Sequence, residues 1–264
     1  MPCVTLLSDF GLQDASVAIA KGILMQHVPD ARFVDISHLV ETFNIQQAAY
    51  FLLSAYSNFP KGTCHVLLFD IFSEERPRLM LCAYDGHYLL APDNGVLSLA
   101  FGDELKEVWQ MYQLDSQGTF ADWLLETGRT IAQLQTHEPQ DLQLASSSLK
   151  VATRHWLPKV IENTVECHVV HIDRYENVVI NLTRQQFDEI GGGRPFRIQF
   201  MRDEELSHLS THFYNVGEGQ KLCRFNATGF LEICINRGKA ASLFGFKLFR
   251  EGHFIYNTIK IYFG

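Results

Sequence analysis

The chain has 264 residues, 47% hydrophobic and 20% charged, with a formal net charge of -8. Such a chain buries enough apolar surface to offset its ordering entropy, which excludes disorder as the main state. The acidic balance argues against a dedicated DNA or RNA binder, which needs an excess of Lys and Arg, and no apolar run approaches the roughly 18 residues of a membrane helix.

Val4–Leu7 reads as a short apolar strand ending in the polar turn Ser8-Asp9-Phe10-Gly11. A helix follows, with Val17, Ile19, Ala20, Ile23 and Leu24 at helical spacing, and Arg32–Ile36 is the next strand. Ile45–Tyr56 predicts an amphipathic helix that Pro60 and Gly62 close off. His65–Phe69 predicts a buried strand delivering Asp70 at its C-terminal end, and Leu79–Tyr84 with His87–Ala91 predicts a hairpin across Asp85-Gly86. Val108–Met111 and Trp123–Leu134 continue the alternation as strand and helix. Strands separated by helices imply a three-layer α/β domain with a mostly parallel sheet. After about residue 150 short strands dominate: Cys167–Ile172, Asn177–Asn181, Phe196–Phe200, Lys221–Phe225, Leu231–Ile235 and His253–Phe263. These predict a C-terminal antiparallel β-barrel or sandwich. The expected division is residues 1–157 and 158–264.

The N-terminus carries no basic n-region and no small-residue cleavage site, so no secretory signal is expected. The six cysteines are scattered without metal or C-x-x-C spacing, as expected of reduced, buried, inert thiols in a cytoplasmic protein. No Walker loop, no G-x-G-x-x-G after the first strand and no G-x-S-x-G elbow occur. His208 and His212 have H-x-x-x-H spacing without the Glu of a zinc protease, and His38 has no partner nearby in sequence, so no metal and no cofactor are expected.

In a parallel α/β sheet ligands bind beyond the carboxyl ends of the strands, where Asp9 and Asp70 fall. Asp9 suits a ribose diol or a helix N-cap; Asp70 suits proton transfer or a turn. Pro92-Asp93-Asn94-Gly95 reads alone as a tight turn. Asp173-Arg-Tyr175-Glu-Asn177 sets a carboxylate, a ring and an amide between two strands, suited either to gripping a purine and its sugar or to an ordinary polar turn.

Taken in order, Thr5–Asp14, Lys21-Gly22, Val34–His38, Phe43–Tyr50, Phe59–Thr63, Ala91–Gly95, Ile172–Asn177, Asn226–Gly229 and Asn236–Ala241 resemble the S-adenosyl-L-methionine (SAM) hydroxide adenosyltransferases, adenosine-forming SAM hydrolases related to fluorinase and chlorinase. The resemblance implies an N-terminal α/β domain, a C-terminal β-barrel and a homotrimer with ligand sites at subunit interfaces. Its ligands would be SAM, adenosine and methionine. It implies substrate-binding roles for Asp9 on the ribose hydroxyls, for Phe43, Phe120, Tyr175 and Phe213 as aromatic walls, and for Asp173 and Asn177 at the methionine end and the base. Arg237 falls where main-chain atoms meet the adenine edge. Water would displace methionine at ribose C5′ with an Asp–Arg–His triad. Asp70 matches its Asp, and Arg76 or Arg78 its Arg; the family's histidine is replaced by Ala121, and the loop after Asp70 reads Ile71–Glu75 in place of Pro-Gly-Val-Gly. Asp122 is the adjacent carboxylate that could substitute for the histidine, and His65 is badly placed to do so. Three readings follow: a hydrolase with altered water activation, a catalytically weak or inactive adenosine/SAM-binding protein of the same fold, and a structural trimer with a decayed pocket.

Overall fold

Residues 2–152, 157–201, 204–250, 253–254 and 257–264 are described by a computed structural model, in which the chain divides into two units, 1–153 and 154–264. Unit 1 holds β1 (Cys3–Ser8), α1 (Ser16–His27), β2 (Arg32–Ser37), α2 (Ile45–Ala55), β3 (Cys64–Leu68), β4 (Arg78–Tyr84), β5 (His87–Pro92), α3 (Val96–Phe101), β6 (Glu107–Gln113), α4 (Phe120–Gln133) and β7 (Ala145–Ser146). The sheet order is β2-β1-β3-β5-β4-β6-β7. The first four strands are parallel, and β4 is antiparallel to both its neighbours, so β6 shares their direction and five of seven strands point one way. The expected mostly parallel α/β sheet is what forms.

Period-two alternation divides the strand residues between the two faces. Val4, Leu6, Val66, Leu68 and Leu90 pack on Ala20 and Leu24 of α1 and on Trp123, Leu124 and Ile131 of α4. Thr5, Leu7, His65 and Leu67 turn to the other face; there Tyr56, just past α2, stands edge-on to the His65 ring at 6.4 Å. Asp85 and Gly86 both have positive φ, 47° and 72°, the left-handed pair that a two-residue hairpin requires. The sequence reading has no helix at Val96–Phe101, because that run of six residues is too short and, apart from Ser98, too apolar to show an amphipathic period. Gly95, at φ 94°, reverses the chain there and starts α3.

Unit 2 holds β8 (Lys159–Ile161), β9 (Thr164–Ile172), β10 (Val178–Thr183), α5 (Arg184–Gly191), β11 (Phe196–Met201), β12 (Glu204–Leu206), β13 (Lys221–Phe225), β14 (Phe230–Ile235), α6 (Ala240–Phe244), β15 (Phe249–Arg250), β16 (His253–Phe254) and β17 (Thr258–Phe263). The antiparallel order is β12-β11-β17-β9-β10-β14-β13, with β8 on β9. Its two ends approach each other through the Lys221–Glu204 ion pair and a Leu209–Cys223 bridge, so the sheet curls nearly into a barrel. Alternate residues Val165, Cys167, Val169, Val178, Ile180, Leu182, Ile259 and Ile261 fill it. On α5, itself capped by Thr183, Phe187 contacts Phe196, Phe225 and Phe263 edge-on at 5.1–5.5 Å. The expected single strand His253–Phe263 is divided: 255 and 256 lie outside the described residues, β16 pairs with β15, and β17 with β9 and β11.

All six cysteines are free, and burial pushes the Cys64, Cys82, Cys167 and Cys223 thiols up to about 12, which keeps them protonated and unreactive. In unit 1 His65 is fully buried, bonded to Thr5 Oγ1 at 2.8 Å and to His87 at 3.2 Å. Burial, then the neighbouring His87, lowers the His65 pKa to about 3, and burial lowers that of His87. The unfolded chain therefore binds more protons below pH ~6.5, so the stabilisation is complete above that pH and is lost as pH falls from ~6.5 toward 3. Urea unfolding from pH 7 to 5 should show stability declining by up to ~1.4 kcal/mol per pH unit for such a histidine. His65→Asn should flatten the decline; an unchanged slope in that variant would assign it to other groups.

Candidate active site

The register of β1 and β3 sets Ser8 beside Leu68, so both chains leave the sheet together and carry Asp9 and Asp70 to the same carboxyl edge. Asp9 does not cap α1: that helix starts at Ser16, whose amide donates to Asp14 Oδ1 at 2.8 Å. Burial raises the proton affinity of Asp9, its own backbone amide lowers it, and the charge of Asp70 raises it. Burial likewise raises the Asp70 pKa. Two carboxylates that each raise their affinity for a proton in a partly dry site are suited to holding or accepting one.

Asp70 has φ 45°, a left-handed conformation that Asp tolerates better than most residues. Asn94 holds the strand end before it: its Nδ2 donates to Phe69 O at 2.8 Å and its Oδ1 accepts from Val96 N at 3.1 Å. The Pro92–Gly95 turn thus clamps the Asp70 loop to the start of α3. By itself the segment predicts only a tight turn, and no local signal points to its distant partner. The Ser8 side chain behind Asp9 bonds His38 Nδ1 at 2.7 Å, and His38 Nε2 lies 3.0 Å from Asp35 Oδ1. The expectation that His38 has no near partner is corrected: Asp35, three residues earlier, is one, and β1 supplies the other.

Phe120 opens α4 and meets Phe10, the residue after Asp9, edge-on at 5.4 Å. The structure therefore brings Asp9, Asp70 and Phe120 to one region, with exposed Ala121 next to Phe120. Asp122 is engaged elsewhere. Its carboxylate accepts from the Thr119 amide and hydroxyl at 2.8 and 2.7 Å as the capping box of α4, and these bonds lower its pKa. It is a poor proton acceptor in place of a histidine. Phe43, at φ 63° and 80% exposed, stands on the β2–α2 loop just before Asn44 caps α2.

Among the described residues neither arginine forms an ion pair with Asp70. Arg78 pairs with the buried carboxylate of Asp93 and reaches Ser147 Oγ at 3.2 Å and Ser148 O at 3.3 Å. Arg76 is exposed, and its carbonyl accepts from Gln113 Nε2 at 3.2 Å. Glu74, in the altered loop after Asp70, pairs with Lys150.

In unit 2, Asp173 and Asn177 close the β9–β10 hairpin on each other: Asp173 Oδ1 accepts from Asn177 N at 2.8 Å and Oδ2 from Asn177 Nδ2 at 2.9 Å. Glu176 was not anticipated; it turns to Lys239 Nζ at 2.8 Å and Ser242 N at 2.9 Å, which lower its pKa to about 2, and so ties this hairpin to α6. Tyr175 is exposed, Arg237 pairs with Glu218, and the Arg224 guanidinium lies 5.0 Å over the Phe213 ring. His212 stacks on Tyr214. Among the described residues no group of three or more His, Cys, Asp or Glu is placed to hold a metal ion.

Residues 4–133 match the model of the SAM hydroxide adenosyltransferase N-terminal domain, and residues 167–251 that of the C-terminal domain. The chain belongs to the SAM hydroxide adenosyltransferase family. Asp9, Asp70, Phe120 and Ala121 fall in the family's N-terminal domain; Asp173, Asn177, Phe213 and Arg237 fall in its C-terminal one. The chain is 26% identical to the (R)-S-adenosyl-L-methionine hydrolase of Methanocaldococcus jannaschii over 96% of this chain and 95% of that one. It is 27% identical to the protein of that name from Thermus thermophilus, over 92% and 96%. A crystal structure of an uncharacterized conserved protein from Thermotoga maritima shares the fold, with a TM-score of 0.79, 24% identity and 99% coverage of both chains.

Proposed function

We propose that this SAM hydroxide adenosyltransferase family member binds SAM and hydrolyses it to adenosine and L-methionine. The observation that carries the reading is the pair Asp9 and Asp70 at one edge of the parallel sheet, each with raised proton affinity. Asp9 grips the ribose diol. A water molecule attacks C5′ in line; its oxygen–carbon bond forms, the C5′–sulfur bond breaks, the electron pair stays on sulfur, and methionine leaves as a neutral thioether. Asp70 takes the water's proton. The sulfonium is already activated, so the site needs chiefly to hold one water and exclude the rest. A carboxylate at position 70 repels an incoming halide, which argues against halogenase chemistry.

Asp173, Tyr175, Asn177, Phe213 and Arg237 complete the ligand contacts in this reading, as do Phe43 and Phe120. The working form is a homotrimer of about 90 kDa, three chains of 30.1 kDa, with sites formed between copies, in the cytoplasm. Light scattering should give that mass, and adenosine should raise the melting temperature by mass action; a monomer that binds adenosine tightly would overturn the shared site. A second reading, a slow or inactive SAM/adenosine binder, is favoured by Ala121 and by the engagement of Arg78 with Asp93.

Chromatography of the purified protein incubated with SAM separates the two: equal release of adenosine and methionine supports the hydrolase, and binding without release supports the binder. Asp9→Ala should weaken adenosine binding by at least about tenfold, about 1.4 kcal/mol, as charge-assisted hydrogen bonds are lost. Unchanged affinity by calorimetry removes the nucleoside pocket.

A further inference from the structure

We propose that His38 is a positioning residue for Asp9, acting through Ser8, so that ligand affinity at Asp9 depends on a hydrogen-bond relay that never touches the ligand. The inference rests on the nucleoside reading of Asp9 and adds to it a residue behind the binding carboxylate.

The relay begins with an irregularity in the sheet. Along β1 and β2 the register runs Leu6 with Asp35 and then Leu7 with Ser37, so β2 carries one extra residue at the end of the pairing. Bulges at such places re-aim the chain; here the result is that His38 lies beside Ser8. Three contacts then bracket Asp9. Ser8 Oγ meets His38 Nδ1 at 2.7 Å, Gly11 N donates to His38 O at 2.7 Å, and Val40 N donates to Ser8 O at 3.3 Å. Both His38 and Ser8 are buried, so water does not compete for these bonds.

The direction of each bond follows from its neighbours. Ser8 Oγ accepts from Phe10 N at 3.4 Å, and its own proton serves His38 Nδ1 in the tautomer that leaves Nδ1 unprotonated. Asp35 Oδ1, 3.0 Å from Nε2, favours that tautomer, with the imidazole proton on Nε2. Nε2 makes no hydrogen bond there, so the contact acts as the attraction of the Nε2–H dipole to the Asp35 carboxylate. Lys21 Nζ holds the other Asp35 oxygen at 2.6 Å. Burial raises the Asp35 pKa, but Lys21 and His38 outweigh it and keep the carboxyl below its ordinary range. An ionised Asp35 fixes the tautomer of His38, His38 fixes the Ser8 rotamer, and Ser8 fixes the amide immediately after Asp9. Carboxylate–histidine pairs behind metal ligands orient those ligands in the same way.

The test is adenosine binding by calorimetry, with melting temperature measured beside it. The end of an Asn side chain reaches the place of His Nδ1, and that of Gln the place of Nε2. His38→Gln should weaken adenosine binding about tenfold, and His38→Asn, which keeps a partner for Ser8, by no more than about threefold. If His38→Gln does not fold, Ser8→Ala removes the same bond at smaller volume change and should show the same loss. In an Asp9→Ala background His38→Gln should change affinity by less than about twofold, because both act on one contact. Folded His38→Gln and Ser8→Ala proteins with parental affinity would overturn the relay while leaving the nucleoside site standing. Equal losses in the two Asp9 backgrounds would overturn it too, as a general structural effect. A parent that binds neither adenosine nor SAM would instead remove the nucleoside reading, and this inference with it.

Discussion

Ala121→His is expected to raise SAM hydrolysis by about 10²–10⁴-fold over the parent, the usual contribution of a positioned acid–base group. Position 121 is exposed in the first turn of α4, beside Phe120, which packs on the residue after Asp9. A histidine there restores the group that the family resemblance implies, on a helix whose start is already fixed by the Thr119–Asp122 capping box. Asp70→Asn in the same background should cancel the gain, because the new imidazole would then lack its carboxylate partner. Single-turnover release of methionine is the readout. If the parent is already fast and Ala121→His changes nothing, another group activates the water. The capping role of Asp122 makes Asp70 itself the first residue to test, through Asp70→Asn in the parent.

Arg78→Ala is expected to destabilise the protein by about 3–5 kcal/mol, because it strands a buried carboxylate. The Asp93 side chain is 2% exposed, and its remaining partner is the Lys150 amide at 2.8 Å. At that magnitude the melting temperature should fall by roughly 10 °C. Arg76→Ala, at an exposed position, should stay within about 0.5 kcal/mol of the parent. Arg78→Met with Asp93→Leu should recover much of the loss, since removing both members of a buried pair leaves no orphan charge. Where the parent turns over SAM, stability restored in that double variant without turnover would show that the Arg78–Asp93 pair serves the reaction as well as the fold. An Arg78→Ala protein as stable as the parent would mean that Asp93 is satisfied without its guanidinium.

The architecture was legible in the residue pattern because hydrophobic periodicity is a local property. Largely apolar runs such as Val4–Leu7 and His65–Phe69 identify strands covered on both faces, and the Asp-Gly turn at 85–86 identifies a hairpin. The position of Asp9 and Asp70 at the carboxyl edge of the sheet was legible for the same reason, since the residue that ends a parallel strand lies there whatever the rest of the chain does. The family itself followed from a series of short motifs in order. Short helices such as α3, where Val96, Leu97, Leu99 and Phe101 are all buried, left no period to read. Nor could the pattern assign partners. Arg78 finds Asp93 across a strand pair, Asn94 finds Phe69, and Ser8 finds His38, at separations of 15, 25 and 30 residues. Each of those choices depends on which strand lies beside which and in what register. A one-residue shift of β2 against β1 would carry His38 away from Ser8, and only the folded sheet decides that shift.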